Sequence, residues 1–154
     1  MQWLAKIAEA RDNCATTSPA AAGKEGVRMF DHVSIGVRDI DRSRTFYDAA
    51  LSPLGYGRLT SGAKMLGYGE EQVGLWVTQA EHPVRPDLRS GLHFCFKAYS
   101  EEAVEAFHAA AIAHGGEDNG APGLRPEYAT FYYAAFVIDP DGYRLEAFFH
   151  KPDL

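Results

Sequence analysis

The sequence has little cysteine, no surplus of positive charge and no long apolar run. Its 154 residues include two cysteines, Cys14 and Cys95, which lie far apart and do not form a Cys-x-x-Cys pair. A disulfide framework is therefore not expected, and a reducing cytoplasm is the predicted location. No apolar run approaches the roughly 20 residues that a membrane span requires. Charged residues interrupt the first dozen positions, so a secretory signal is not predicted either.

The formal net charge is −6, and no basic cluster offsets it. This balance argues against non-specific binding to nucleic acid. A hydrophobic content of 46% and a charged content of 23% are ordinary for a globular protein. The length suits one domain, or two small fused modules, with a sizeable core.

The first 28 residues differ in character from the rest. A short amphipathic stretch is followed by a Thr-, Pro- and Ala-rich linker at 16–23. We interpret 1–28 as an N-terminal appendage of unknown function. The main domain is predicted over 29–152, with module one at about 29–80 and module two at about 91–150.

A hairpin near the C-terminal end carries the most informative residue. Asp139-Pro140-Asp141-Gly142 is a turn sequence, since proline presets φ and glycine supplies a positive φ. Glu146 lies in the strand after this turn, among Leu145, Ala147, Phe148 and Phe149. A carboxylate there is costly to bury unless it is paired or binds a metal. The alternative is a strand with one solvated face, on which Glu146 points to water.

The chain repeats one pattern of elements. An offset of 61 residues places His32 on His93 and Phe46 on Phe107. Each copy begins with an alternating strand and continues with a helix capped by Asp39 or Ser100. The predicted elements are strands at about 30–37, 56–60, 63–69, 72–78 and 92–98, an irregular loop at 116–129, and hairpin strands at 131–138 and 143–149.

Two copies of βαβββ, with the segments HVSIGV, DIDRSRTFY, GLHFCF and DPDGYRLEAFF, resemble the vicinal oxygen chelate superfamily of glyoxalases, bleomycin-resistance proteins and extradiol dioxygenases. The resemblance covers about residues 29–150. It implies an α+β fold in which the tandem modules form a curved mixed sheet, a half-barrel around a cleft, with the helices outside. It also implies a small-molecule substrate and a homodimer, with a site that lies in one chain or is shared by two.

The resemblance implies a metal site formed by His32, His93 and Glu146. Two imidazoles and one carboxylate leave open coordination positions, which suits one divalent Fe, Mn, Ni, Co or Zn ion. The fourth ligand position of the superfamily, a carboxylate that ends module one, is not matched, because Trp76 or a neighbour occupies it. This departure disfavours glyoxalase I itself. The chain is also about half as long as a typical two-domain dioxygenase.

The expected activity is that of a metal-dependent lyase, isomerase or extradiol-type dioxygenase. The metal would chelate two vicinal oxygens of the substrate and act as a Lewis acid. Candidate acid–base residues are Tyr132, Tyr133 and His150. Candidate substrate-binding residues are Arg125, Tyr128, Cys95 and Trp76.

Two other interpretations remain open. The chain is a metal-free protein that sequesters a small molecule, as in the bleomycin-resistance branch, or its metal is purely structural. The set of His32, His93 and Glu146 favours a metal-dependent enzyme over the first interpretation, the metal-free protein. Structural sites are usually closed by four protein ligands, which disfavours the second.

Overall fold

The structure is a computed structural model that describes residues 30–150 apart from positions 86 and 88. The predicted appendage at 1–28 lies outside the described residues. Within the described part, no helix is both long enough and apolar enough to cross a bilayer.

Module one follows the predicted order of elements. The apolar alternation of its first strand begins at Val33, so His32 lies one residue before the strand. Its elements are β1 (Val33–Val37), α1 (Ile40–Leu51), a short 3-10 turn (Ser52–Leu54), β2 (Gly57–Ser61), β3 (Met65–Gly69) and β4 (Val73–Gln79).

Module two repeats this order, and His93 again lies one residue before the opening strand. Its elements are β5 (Phe94–Lys97), α2 (Glu101–Ala113), β6 (Glu117–Leu124), β7 (Tyr132–Ile138) and β8 (Arg144–His150). The hairpin turn has the expected glycine geometry, with Gly142 at φ +97°.

The fold is α+β, with two four-stranded mixed sheets that do not close into a barrel. Their strand orders are β1-β4-β3-β2 and β5-β8-β7-β6. The first and last strands of each module pair in parallel, with Ser34 opposite Trp76 and Cys95 opposite Glu146. This matched register confirms the internal repeat and the correspondence of Trp76 with Glu146.

The predicted helix caps form. The Asp39 carboxylate accepts hydrogen bonds from the backbone N–H groups of Asp41 and Arg42, and the Ser100 hydroxyl accepts one from Ala103 N. The apolar sides of α1 and α2 pack against their own sheets and against each other. One continuous core results, and it includes the fully buried Phe46 and Phe107.

The loop predicted at 116–129 was wrong over its first half. Residues 117–124 form β6, which pairs with β7. The sequence EDNGAPGL is poor in strand-forming residues, and Pro122 cannot donate a ladder hydrogen bond. The segment is accommodated because β6 is an edge strand whose register shifts twice, around Gly120 at φ +149°.

The hairpin turn of module two fastens the two modules together. Tyr47 on α1 donates a hydrogen bond of 2.7 Å to Asp139, and Arg42 donates one of 2.9 Å to Asp141. Both aspartates are buried. We call these four residues the inter-module clasp. It explains why two carboxylates are buried at a turn that sequence alone would leave exposed.

Candidate active site

Glu146 lies on the face of its sheet that the helices do not cover. Its neighbours Leu145 and Ala147 point into the core by strand alternation. Glu146 is nevertheless buried, at 4% relative exposure. A carboxylate at that depth requires partners.

Two side chains supply these partners. Tyr132 donates a hydrogen bond of 2.6 Å to Glu146 Oε1. The Nε2 atom of His93 lies 3.3 Å from Glu146 Oε2. Both carboxylate oxygens are therefore engaged, and Glu146 does not point to bulk water.

The cluster lines a cavity of about 630 Å³. This volume lies within the usual range for small-molecule sites. Most of the other lining residues are polar or aromatic, namely Asn119, Arg125, Tyr128, Phe136 and Arg144, and Gly120 and Leu145 complete the lining.

The surroundings of Glu146 keep the neighbouring acids protonated. Burial, followed by the hydrogen bond to Glu146, raises the pKa of Tyr132 well above its usual value. Burial and the negative charge of Glu146 raise the pKa of the Cys95 thiol to about 12. Tyr132 is therefore a hydrogen-bond donor at neutral pH, and Cys95 lacks the thiolate that a nucleophile needs.

His32 does not join this cluster. Its Nδ1 atom lies 2.7 Å from Asp31 Oδ1, and it does not line the cavity that contains His93 and Glu146. Across the described residues, no group of three or more His, Cys, Asp or Glu side chains is placed to hold a metal. One chain therefore brings together two of the three predicted ligands.

The predicted acid–base candidates separate onto two faces of the sheet. Tyr132 bonds directly to Glu146, whereas Tyr133 points to the other face and donates to Glu105 of α2 at 2.9 Å. His150 pairs with Tyr132 in the strand register, is exposed, and does not line the cavity.

The predicted substrate-binding residues also divide. Arg125 and Tyr128 line the cavity, and Tyr128 packs edge-to-face on Tyr132 with centroids 5.6 Å apart. Cys95 sits opposite Glu146 on β5. Trp76 lies on the equivalent face of module one, packed beside Gly67.

Sequence reasoning missed Arg144 and Phe136. Arg144 precedes Glu146 by two residues on one strand, so the same alternation that placed Glu146 also places Arg144 on its face. Phe136 is directly opposite Glu146 on β7. Counting paired residues outward from the hairpin turn would have placed Phe136 opposite Glu146.

The sequence profile of the Glyoxalase/Bleomycin resistance protein/Dioxygenase superfamily matches residues 29–147. The chain belongs to this superfamily. No protein of curated function matches it in sequence.

Solved structures support this family assignment. The chain is similar to a glyoxalase/bleomycin resistance protein from Albidiferax ferrireducens, with 34% identity over 81% of this chain and 100% of that one and a TM-score of 0.69. A putative glyoxalase from Bacillus halodurans shares 25% identity over 80% and 96% of the two chains, with a TM-score of 0.61. A fosfomycin resistance protein from Listeria monocytogenes, 16% identical over 79% and 93%, shares the fold with a TM-score of 0.59.

Proposed function

We propose that the protein is a metal-dependent enzyme that acts on a small substrate with two vicinal oxygens, as a lyase, isomerase or extradiol-type dioxygenase. The observation that carries this proposal is the 3.3 Å approach of His93 Nε2 to Glu146 Oε2 inside the cavity. Superfamily membership supports a small-molecule substrate.

The His93–Glu146 pair fits a divalent ion. Metal bonds to histidine nitrogen and carboxylate oxygen are about 2.0–2.2 Å long, so neighbouring ligand atoms lie roughly 2.9–3.4 Å apart. The observed separation of 3.3 Å falls in this range. Fe, Mn, Ni, Co and Zn all accept this donor pair.

Two protein ligands are fewer than catalytic sites of this kind normally use. We propose that the third is His32 of the partner subunit in a homodimer. His32 and His93 hold equivalent positions in the two modules, one residue before the opening strand. A two-fold dimer that sets module one of one copy against module two of the other would form two identical sites.

In this proposal the bound ion supplies Lewis-acid chemistry to a substrate that chelates it through vicinal oxygens. His93 and Glu146 hold the ion, and Tyr132 fixes the orientation of the Glu146 carboxylate by its hydrogen bond. Tyr128 and Phe136 line the same cavity, where a bound substrate would contact them.

A metal-free binding protein is the second candidate. It is favoured by the close partners of Glu146, since Tyr132 donates a hydrogen bond to Oε1 and His93 Nε2 lies 3.3 Å from Oε2. A buried carboxylate that is satisfied in this way does not need an ion.

Metal content separates the two candidates. The wild type is purified without added metal and compared with a His93→Ala/Glu146→Ala double variant. The control is His108→Ala/Asp118→Ala, which removes another histidine–carboxylate pair, 2.8 Å apart, outside the cavity. The enzyme predicts near-stoichiometric metal in the wild type and the control, and none in the first variant. Absence of metal from all three proteins, with no rise in melting temperature on adding divalent ions, favours the binding protein.

A complementation experiment tests the shared site. His32→Ala and Glu146→Ala variants are each expected to lose bound metal. When the two are unfolded together and refolded, each heterodimer regains one intact site of its two. Random pairing then restores about a quarter of the wild-type metal content. No recovery on mixing would show that the site lies within a single chain.

A further inference from the structure

The charges that line the cavity oppose the charge of the chain. The protein carries a formal net charge of −6. The cavity is lined by two guanidinium groups, Arg125 and Arg144, and a single carboxylate, Glu146. An excess of positive charge in a concave site favours a negatively charged ligand.

Arg144 has unused donors in this cavity. Its Nε donates a hydrogen bond of 3.1 Å to the Leu92 carbonyl, which fixes the side chain on the face of β8 that carries Glu146. Within the described residues, neither terminal nitrogen of Arg144 has a hydrogen-bond acceptor or an ion-pair partner. A guanidinium held at one end presents a fork that matches the geometry of a carboxylate.

Arg125 supplies a second, pre-oriented positive charge. Its terminal nitrogens donate to the carbonyls of Ala121 at 2.6 Å and Leu124 at 3.3 Å. Its guanidinium lies over the ring of Phe136, 5.5 Å from the centroid. A Cβ at Gly123 would come within 3.2 Å of Arg125 Nη1, so the glycine leaves room for this arrangement. Orientation before binding lowers the entropic cost of ligand capture.

Aromatic side chains complete the walls. Tyr128 and Tyr132 pack edge-to-face beside the carboxylate, and Phe136 lies under Arg125. Aromatic walls beside two guanidinium groups favour an organic anion over an inorganic one.

We propose that the substrate is an organic carboxylate, whose carboxylate is bound by Arg144 with Arg125 as the supporting charge. This inference rests on the proposed function in one respect, since it concerns the same cavity. It goes beyond that function by assigning a carboxylate group to the substrate, which metal binding by His93 and Glu146 does not require.

The test compares two probes that differ in one charge, 3,4-dihydroxybenzoate and 3,4-dihydroxybenzamide. Both carry vicinal oxygens on a flat ring. Binding is measured by calorimetry on wild type, Arg144→Gln, Arg125→Gln and the control Arg89→Gln. Arg89 is 90% exposed and pairs with Asp87 in a loop, so its replacement removes the same charge outside the cavity.

We expect the wild type to bind the carboxylate roughly tenfold or more tightly than the amide, as charge-assisted hydrogen bonds allow. The preference should fall several-fold in Arg144→Gln, by less in Arg125→Gln, and not at all in Arg89→Gln. Arg144→Lys keeps the charge without the fork, so it should fall in between, and it carries the test if Arg144→Gln does not fold. Equal binding of both probes by wild type, or an equal loss in Arg89→Gln, overturns the proposal.

The same measurements made with and without added metal separate this inference from the proposed function. If the wild type binds no added metal but still prefers the carboxylate probe, the arginine site is supported and the metal-dependent enzyme is rejected. Stoichiometric metal with no preference between the probes does the reverse.

Discussion

Tyr132 and Glu146 are joined across the face of module two by a hydrogen bond of 2.6 Å. Tyr132 is opposite His150 in the register, so its ring runs along the sheet toward Glu146. The ring is stacked on Phe148, with centroids 4.9 Å apart and planes inclined by 14°. This packing holds the hydroxyl in place independently of the hydrogen bond, so the contribution of the hydroxyl alone is measurable.

Tyr132→Phe is predicted to weaken metal binding by about 10- to 100-fold, the usual effect of losing a group that orients a ligand. The ring and its stacking remain, but Glu146 Oε1 loses its donor. Competition with a chromophoric chelator measures the dissociation constant.

Tyr133→Phe is the matched control, because the adjacent tyrosine donates its hydroxyl to Glu105 on the opposite face. It should leave metal affinity unchanged. Equal weakening in both variants would mean that the effect passes through folding rather than through Glu146.

The fold was largely predictable because its strongest signals are local. The stripe around Phe46, the cap at Ser100 and the Gly142 turn each fix an element through neighbouring residues. Strand β6 was missed for the opposite reason. It contains Gly120 and Pro122, and only pairing with β7, a non-local interaction, makes it a strand.

The candidate site was predictable within module two and not beyond it. Strand alternation places Glu146, and the repeat places His93 beside it. Whether His32 reaches them depends on how the modules pack, which is set by contacts such as Tyr47–Asp139 between residues distant in sequence. The periodicity of apolar residues in a sequence does not predict how two modules pack against each other.

Arg42→Gln is predicted to lower the free energy of unfolding by about 1–3 kcal/mol, because it removes a donor from the buried carboxylate of Asp141. Arg89→Gln is the control, because Arg89 is itself 90% exposed and pairs with the exposed Asp87. Its effect should stay within about 1 kcal/mol, as for other surface pairs. Urea unfolding measures both, and equal losses would show that the clasp adds nothing beyond surface electrostatics.

Gly67→Ala is predicted to cost about 1–3 kcal/mol of stability by overpacking. A Cβ there would lie 2.7 Å from a Thr60 methyl and 3.0 Å from the ring of Trp76. Gly74→Ala on the neighbouring strand is the control, since nothing lies within 4 Å of its Cβ position. Thermal unfolding of the two variants should differ clearly, and equal melting temperatures would show that Thr60, Val73 and Trp76 all move aside without cost.

Asp39→Asn is predicted to reveal a pH-dependent part of the stability of α1. The Arg42 N–H lowers the pKa of the Asp39 carboxyl below its usual value of 3.8. A carboxyl whose pKa is lower in the folded than in the unfolded chain stabilises the fold at pH values above its unfolded-state pKa. This stabilisation disappears as the pH falls through the folded-state pKa. Asparagine keeps an oxygen for the cap but does not titrate. The free energy of unfolding of the wild type in urea should therefore exceed that of Asp39→Asn by a constant amount from about pH 6 to 5, and this difference should shrink below about pH 4.

Exposed Glu127→Gln controls for the loss of one negative charge. An advantage that grows as the pH falls would contradict the assigned direction, because it would require a carboxyl that is easier to protonate in the folded chain.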